Sequence, residues 1–166
     1  MKPFIVKNSS VQGKGVFVNN DFARGEVVLE INDSHVVSDT SKLTKEQWEH
    51  DCDFLSNGKV VLMQSPEKYI NHSCNPNTYI KTINGVRKVL VMRNIKKGEE
   101  ITFDYAVNGN NDGTFKCKCG SNNCRVIYQG NFFKLQREIQ LKYLPYLEDW
   151  FIQEHKKEIK TLKSIA

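Results

Sequence analysis

At 166 residues with 39% hydrophobic side chains, the chain has room for one domain with its own core, plus an appended segment. Its 24 Lys and Arg against 19 Asp and Glu leave a net charge of +5, but the lysines are scattered or sit on solvent faces such as KKEIKTLK, so a dedicated nucleic-acid site is not expected. No apolar run reaches the roughly 18 residues a membrane helix needs, and MKPFIVKNSS has no signal-peptide pattern, so a soluble, intracellular protein is expected, cytoplasmic or, in a eukaryote, nuclear.

The first two-thirds of the chain predicts short strands. Residues 4–6, 15–18, 27–31 and 60–63 are apolar runs cut by Gly, Asn and Asp. Residues 41–55 predict a short helix, opened by a capping box between Thr44 and Gln47. YINHSCNPN, residues 69–77, is too polar for a buried strand and too rich in turn formers for a helix. A hairpin follows: Thr78–Ile83 and Val86–Val91 flank Asn84-Gly85, the preferred type I′ pair.

After Tyr105 the composition changes. AVNGNNDGT reads as a flexible polar connector, and FKCKCGSNNCR as a cysteine-dense knot. From Asn131 the pattern turns helical, with Phe132, Leu135, Ile139, Leu141 and Leu144 near helical spacing. Pro145 breaks or restarts it, and a second helix to about Lys160 would bury Leu147, Trp150, Phe151 and Ile152. These helices must pack on something, and a homodimer partner is one candidate.

An odd count of five cysteines argues against a disulfide framework and toward metal or a reactive thiol. Cys117, Cys119 and Cys124 supply three of the four thiolates a structural zinc wants. From spacing alone, the fourth ligand is Cys74, Cys52 or a histidine. For Cys52 a lone buried thiol is the plainer reading.

Four segments then fall into one pattern. GKGVFVNNDFARGEVV, YINHSCNPN and GEEITFDY resemble the hallmark motifs of the SET domain of protein-lysine methyltransferases. CKCGSNNCR resembles the post-SET zinc motif that follows some of them. The resemblance covers residues 4 to about 130. It implies a mainly β fold of several small curved sheets around a knot-like crossing, with a zinc-bound tail and C-terminal helices. The expected layout is a SET domain over 1–108, a post-SET zinc segment over 113–130 and a helical extension over 131–166.

The resemblance also implies roles. The backbone of Lys14, Gly15 and Val16 would lie against S-adenosylmethionine (SAM), Asn71 and His72 would contact it, and Tyr69 is a further candidate. His72 would act through its backbone, not as an acid or base. Cys74 would join Cys117, Cys119 and Cys124 on one structural zinc. Tyr105 would be the catalytic tyrosine, close to the cofactor as well. Phe103, where a tyrosine would hold a crowding water, points to di- or trimethylation of a lysine in a histone or another protein. Asp104 would be structural, and Arg125 fits the Cys-Arg element, with a solvated charge as the plain alternative. Phe115 and Tyr128 are both candidates to close over the cofactor. Ile31 stands where many relatives carry a tyrosine, which removes a hydroxyl from the pocket. The competing readings are an inactive SET-like zinc module that binds a partner and a zinc-knuckle nucleic-acid binder.

Overall fold

Short apolar runs punctuated by turn formers cannot make long strands. The computed structural model, which describes residues 2–164, accordingly holds four small sheets. In the first, β1 (Phe4–Asn8) and β2 (Lys14–Val18) pair antiparallel, β9 (Glu100–Phe103) adds to β2, and β6 (Asn71–His72) runs parallel to β9. In the second, β3 (Val27–Glu30) pairs with β8 (Val86–Val91), which pairs with β7 (Thr78–Ile83). The hairpin register runs from Thr78 opposite Val91 to Ile83 opposite Val86. Asn84 (φ 53°) and Gly85 (φ 78°) both take the left-handed region that a type I′ turn demands.

The inward faces of these two sheets meet. Val16, Val18, Val89, Val91, Ile95 and Ile101 are at most 1% exposed and, with Ile31 and Ile70, form one core. The i, i+2 spacing of Val16 with Val18 and of Val89 with Val91 is the strand period expressed as burial. Each such side chain contributes about 1.5–3 kcal/mol by leaving water. Ile31, the expected departure, is a member of this core.

A small sheet of β4 (Cys52–Phe54) and β5 (Val60–Leu62) lies in the segment between β3 and β6. The capping box ahead of it forms reciprocally: the Thr44 N–H donates to Gln47 Oε1 (3.0 Å) and the Gln47 N–H to Thr44 Oγ1 (3.1 Å). The short helix expected within 41–55 is there, as a helical turn that ends in the π-turn Gln47–Asp51. Cross-strand pairing of Cys52 with Leu62 and Phe54 with Val60 claims the next residues for a strand.

The connector expected after Tyr105 is also corrected. Asn110–Lys116 forms β10, paired with β11 (Ile127–Asn131). Its side chains are exposed throughout, so no apolar alternation announces it, and backbone bonding carries it. Helix likewise begins later than expected. Asn131 Oδ1 accepts from the Phe133 N–H (2.9 Å) and caps a 3₁₀ turn at Phe132–Lys134. The helices are α1 (Arg137–Tyr143), α2 (Asp149–Glu154) and α3 (Lys156–Ser164). Pro145 sits in a 3₁₀ turn between α1 and α2, and His155 (φ −111°, ψ 34°) splits the expected second helix in two.

Phe132, Tyr143, Leu147 and Phe151 are at most 1% exposed and build a second core with Ile159, Leu162, Tyr128 and Ala106. The apolar helix faces are therefore covered by the chain's own strand ends. Tyr105 packs against this core and Phe103 against the first. The junction of the two cores is where the motif residues gather. Among the described residues, no helix is long and apolar enough to cross a membrane.

Candidate active site and metal centre

The polar stretch 69–77 is largely buried: Ile70, His72, Ser73, Cys74 and Asn77 are each at most 7% exposed. Its polar composition did not suggest burial; Asn71, His72, Ser73, Asn77 and Thr78 find their partners within the chain. Asn77, which the sequence reading passed over, donates through Nδ2 to the Glu100 carbonyl (2.8 Å) and accepts at Oδ1 from the Thr102 N–H (2.8 Å). Thr78 Oγ1 donates to the Thr102 carbonyl (2.9 Å). The stretch thus grips β9 twice, through β6 and through Asn77–Thr78. The signal for Asn77 was its chemistry: a side-chain amide satisfies one donor and one acceptor of a backbone at once.

Asn71 reaches the turn before β2. Its Nδ2 lies 2.9 Å from the Lys14 carbonyl and 2.7 Å from Glu100 Oε1. Gly13 has φ 49°, which suits glycine. At Gly15 a Cβ would meet the Glu100 carboxylate, so a side chain there would have to displace that group. The turn conformation accounts for Gly13, and the close approach of Glu100 favours glycine at 15. Lys14 and Lys68 each place Nζ 5.3 Å from the Tyr69 ring centroid. Val16 points its side chain into the first core.

β9 delivers Phe103, Asp104 and Tyr105 to the junction. The Tyr105 hydroxyl donates to the Ile70 carbonyl at 2.7 Å, and its N–H donates to His72 Nδ1 at 3.3 Å. Its ring centroid lies 4.7 Å from that of Phe103, 5.3 Å from that of His72 and 6.2 Å from that of Tyr128. Burial pushes the Tyr105 hydroxyl well above the usual tyrosine range, so it remains a donor. Phe115 and Tyr128 stack at 4.4 Å, and both rings face His72 edge-on. The structure therefore does not choose between these two aromatics; it brings them together. Phe103 also lines a cavity of about 30 Å³ with Tyr79, Met92, Tyr143 and Tyr146.

His72 accepts at Nδ1, so its proton sits on Nε2, which faces Cys74 Sγ at 3.4 Å. Burial, only partly opposed by Asp104, pulls its pKa down to about 4 and keeps it neutral. The imidazole is thus neutral, with both ring nitrogens in contact with the chain.

The sulfurs of Cys74, Cys117, Cys119 and Cys124 all lie within 4.8 Å of one another, and Cys52 is not among them. Cys74 and Cys117 are 3.8 Å apart, and a tetrahedron with Zn–S bonds near 2.3 Å has edges of about 3.8 Å. The donor set fits zinc. Burial pushes the Cys74 thiol up to about 11, whereas hydrogen bonds from Cys74 and Ser121 overcome burial and bring Cys119 down to about 6. Four such groups become thiolates together only when a cation offsets their charge. N–H donors are already in place: Arg125 N on Cys74 Sγ and Val126 N on Cys124 Sγ, both at 3.4 Å. Val126 has φ 65°, unusual for a β-branched residue, at the spot where its N–H meets one ligand and its carbonyl accepts from Cys117.

Arg125 is not a solvated charge. Its NH1 and NH2 donate to Asp104 Oδ2 and Oδ1 at 2.6 and 2.8 Å, and the Asp104 side chain is 0% exposed.

A family model for the SET domain matches residues 13–106. Human histone-lysine N-methyltransferase 2D is 33% identical over 130 residues, which cover 70% of this chain and 2% of that protein. The histone-lysine N-methyltransferase, H3 lysine-36 specific, of Debaryomyces hansenii is 30% identical over 134 residues, covering 72% of this chain and 18% of that one. The chain thus spans a small fraction of the length of these relatives. A solved Plasmodium falciparum chain, described as a candidate histone methyltransferase, superposes with a TM-score of 0.51 at 24% identity, over 63% of this chain and 94% of that one. With three hallmark motifs meeting at one junction and a cysteine cluster that fits the post-SET zinc motif, the chain belongs to the SET-domain family.

Proposed function

We propose that the chain is a SAM-dependent protein-lysine N-methyltransferase that adds two or three methyl groups to a lysine of a histone or another protein. The observation that carries this reading is Tyr105: a shielded, protonated hydroxyl aimed at the Ile70 carbonyl, with Phe103 beside it, in a chain of the SET-domain family.

SAM supplies an electrophilic methyl group, and the transfer is an in-line displacement by a neutral amine. The chain's part is alignment, which is worth on the order of 7–11 kcal/mol in well-oriented reactions. The Ile70 carbonyl and the Tyr105 hydroxyl form a polar pair at the junction, able to orient an amine and to tolerate the positive charge that passes to it. Phe103 presents no hydroxyl, so no water is anchored to crowd a methylated amine. For the cofactor's amino-acid portion, Asn71 donates through Nδ2 to the Gln12 and Lys14 carbonyls and to Glu100, which leaves its Oδ1, with no hydrogen bond among the described residues, to accept from a ligand; His72, Tyr69 and the backbone of Lys14–Val16 would complete the site. The Phe115–Tyr128 stack offers a flat apolar face for a ring. Cys74, Cys117, Cys119 and Cys124 would hold one zinc, which ties the 113–130 segment to the polar stretch. The working division is a catalytic unit over 1–108, the zinc segment and a helical extension over 131–166.

The test is methyl transfer from labelled SAM to core histones, a cell extract and the protein itself. A labelled band that falls by roughly 10²–10³ in Tyr105→Phe, as for removal of one preorganised donor, supports the reading. A chain that neither labels any protein nor binds SAM would be the inactive partner-binding module instead.

A further inference from the structure

Two contact paths join the cysteine cluster to the backbone of Tyr105. One runs from Cys74 Sγ to His72 Nε2 and from His72 Nδ1 to the Tyr105 N–H. The other starts at Arg125, directly after Cys124, whose N–H meets Cys74 Sγ and whose guanidinium clasps Asp104 at two points. Asp104 precedes Tyr105 and also accepts the Ala106 N–H at Oδ1 (3.1 Å). The carboxylate therefore sets the backbone on both sides of the tyrosine.

As a stabilising device this pair is poor. Buried ion pairs roughly break even against their desolvation cost. Arg125 Nε is, in addition, the one buried side-chain nitrogen or oxygen among the described residues that has no partner. What a planar, two-point guanidinium–carboxylate contact does supply is orientation. We propose that Arg125 is a positioning residue for Tyr105, transmitting the order of the cysteine knuckle through Asp104 to the catalytic backbone; this rests on the methyltransferase reading above. The zinc segment would then set the geometry of the reaction, beyond covering the site.

Arg125→Lys tests this while keeping the charge. Zinc content and SAM affinity should stay near wild type, while kcat falls roughly 100-fold, the cost of about 1 Å of misplacement. Independently of turnover, the Tyr105 and Ala106 amides should exchange at least about tenfold faster in the zinc-loaded variant. A companion, Arg125→Gln with Asp104→Asn, removes both buried charges, so the fold need not carry an unpaired one. A merely structural pair would let this double variant recover transfer and amide protection, which would overturn the proposal, as would wild-type values in Arg125→Lys. If even the wild type transfers no methyl group, the methyltransferase reading fails, and the exchange data still decide whether Arg125 holds Tyr105.

Discussion

The two cores of this molecule are held in different ways. The sheet core, from Val16 to Ile101, rests on backbone ladders whose registers run without a break through the β1–β2 and β7–β8 pairs. The tail core and the segment before it have only the short β10–β11 ladder and rest mainly on side chains: an aromatic cluster, four thiols and the buried Arg125–Asp104 ion pair. β10 has a register irregularity between Asn110 and Thr114 and no buried side chain. A ladder needs only its own sequence, whereas a knuckle needs its metal. The junction around Tyr105 is built from both, so its integrity should follow the weaker partner.

This contrast can be broken from either side. Phe132→Ala should have the largest effect on stability, about 3–5 kcal/mol, because the ring is fully buried and edge-on to Phe151. The loss should appear as faster exchange in α1 to α3 before it reaches β7 and β8. Simultaneous loss in the sheets would mean that the two cores are one cooperative unit. Asn77→Ala attacks the sheet side where side chains do the ladder's work. It leaves the Glu100 carbonyl and the Thr102 N–H without this partner and should cost about 1–3 kcal/mol, read as a shifted denaturation midpoint. A cost near zero would show that β2, β6 and Thr78 hold β9 without it.

The smallest expected effect concerns pH. The folded-state pKa of Tyr105 is raised above its unfolded value near 10 by burial. The stability linked to its protonated form is therefore complete below about pH 10 and declines as pH rises through the folded value. Transfer should rise as the substrate lysine loses its proton and show no descending limb near pH 10. A descending limb there would mean that Tyr105 is solvated.

Much of this organisation was legible in the sequence where chemistry is local. Asn84-Gly85 dictates its turn, Thr44 and Gln47 their reciprocal cap, and the cysteine spacing its knuckle. Cys74 as fourth ligand came from the family resemblance, and the structure brings it to the other three. What could not be read depended on partners remote in sequence. Asn110–Lys116 is polar on both faces and is a strand only because β11 lies beside it. Within 41–55 the helix stops at Asp51 and residues 52–54 are strand, because β5 pairs with them. Arg125 looked solvated because its partner, Asp104, is 21 residues away. Asn71 spends its amide on the chain, a role invisible without the turn at Gly13.

The most direct test of the account is zinc removal by a chelator, followed in parallel by amide exchange and methyl transfer. The account predicts that residues 110–131 lose protection, that β7 and β8 keep theirs, and that transfer disappears and returns when zinc is restored. Global unfolding, or full transfer by zinc-free protein, would contradict it.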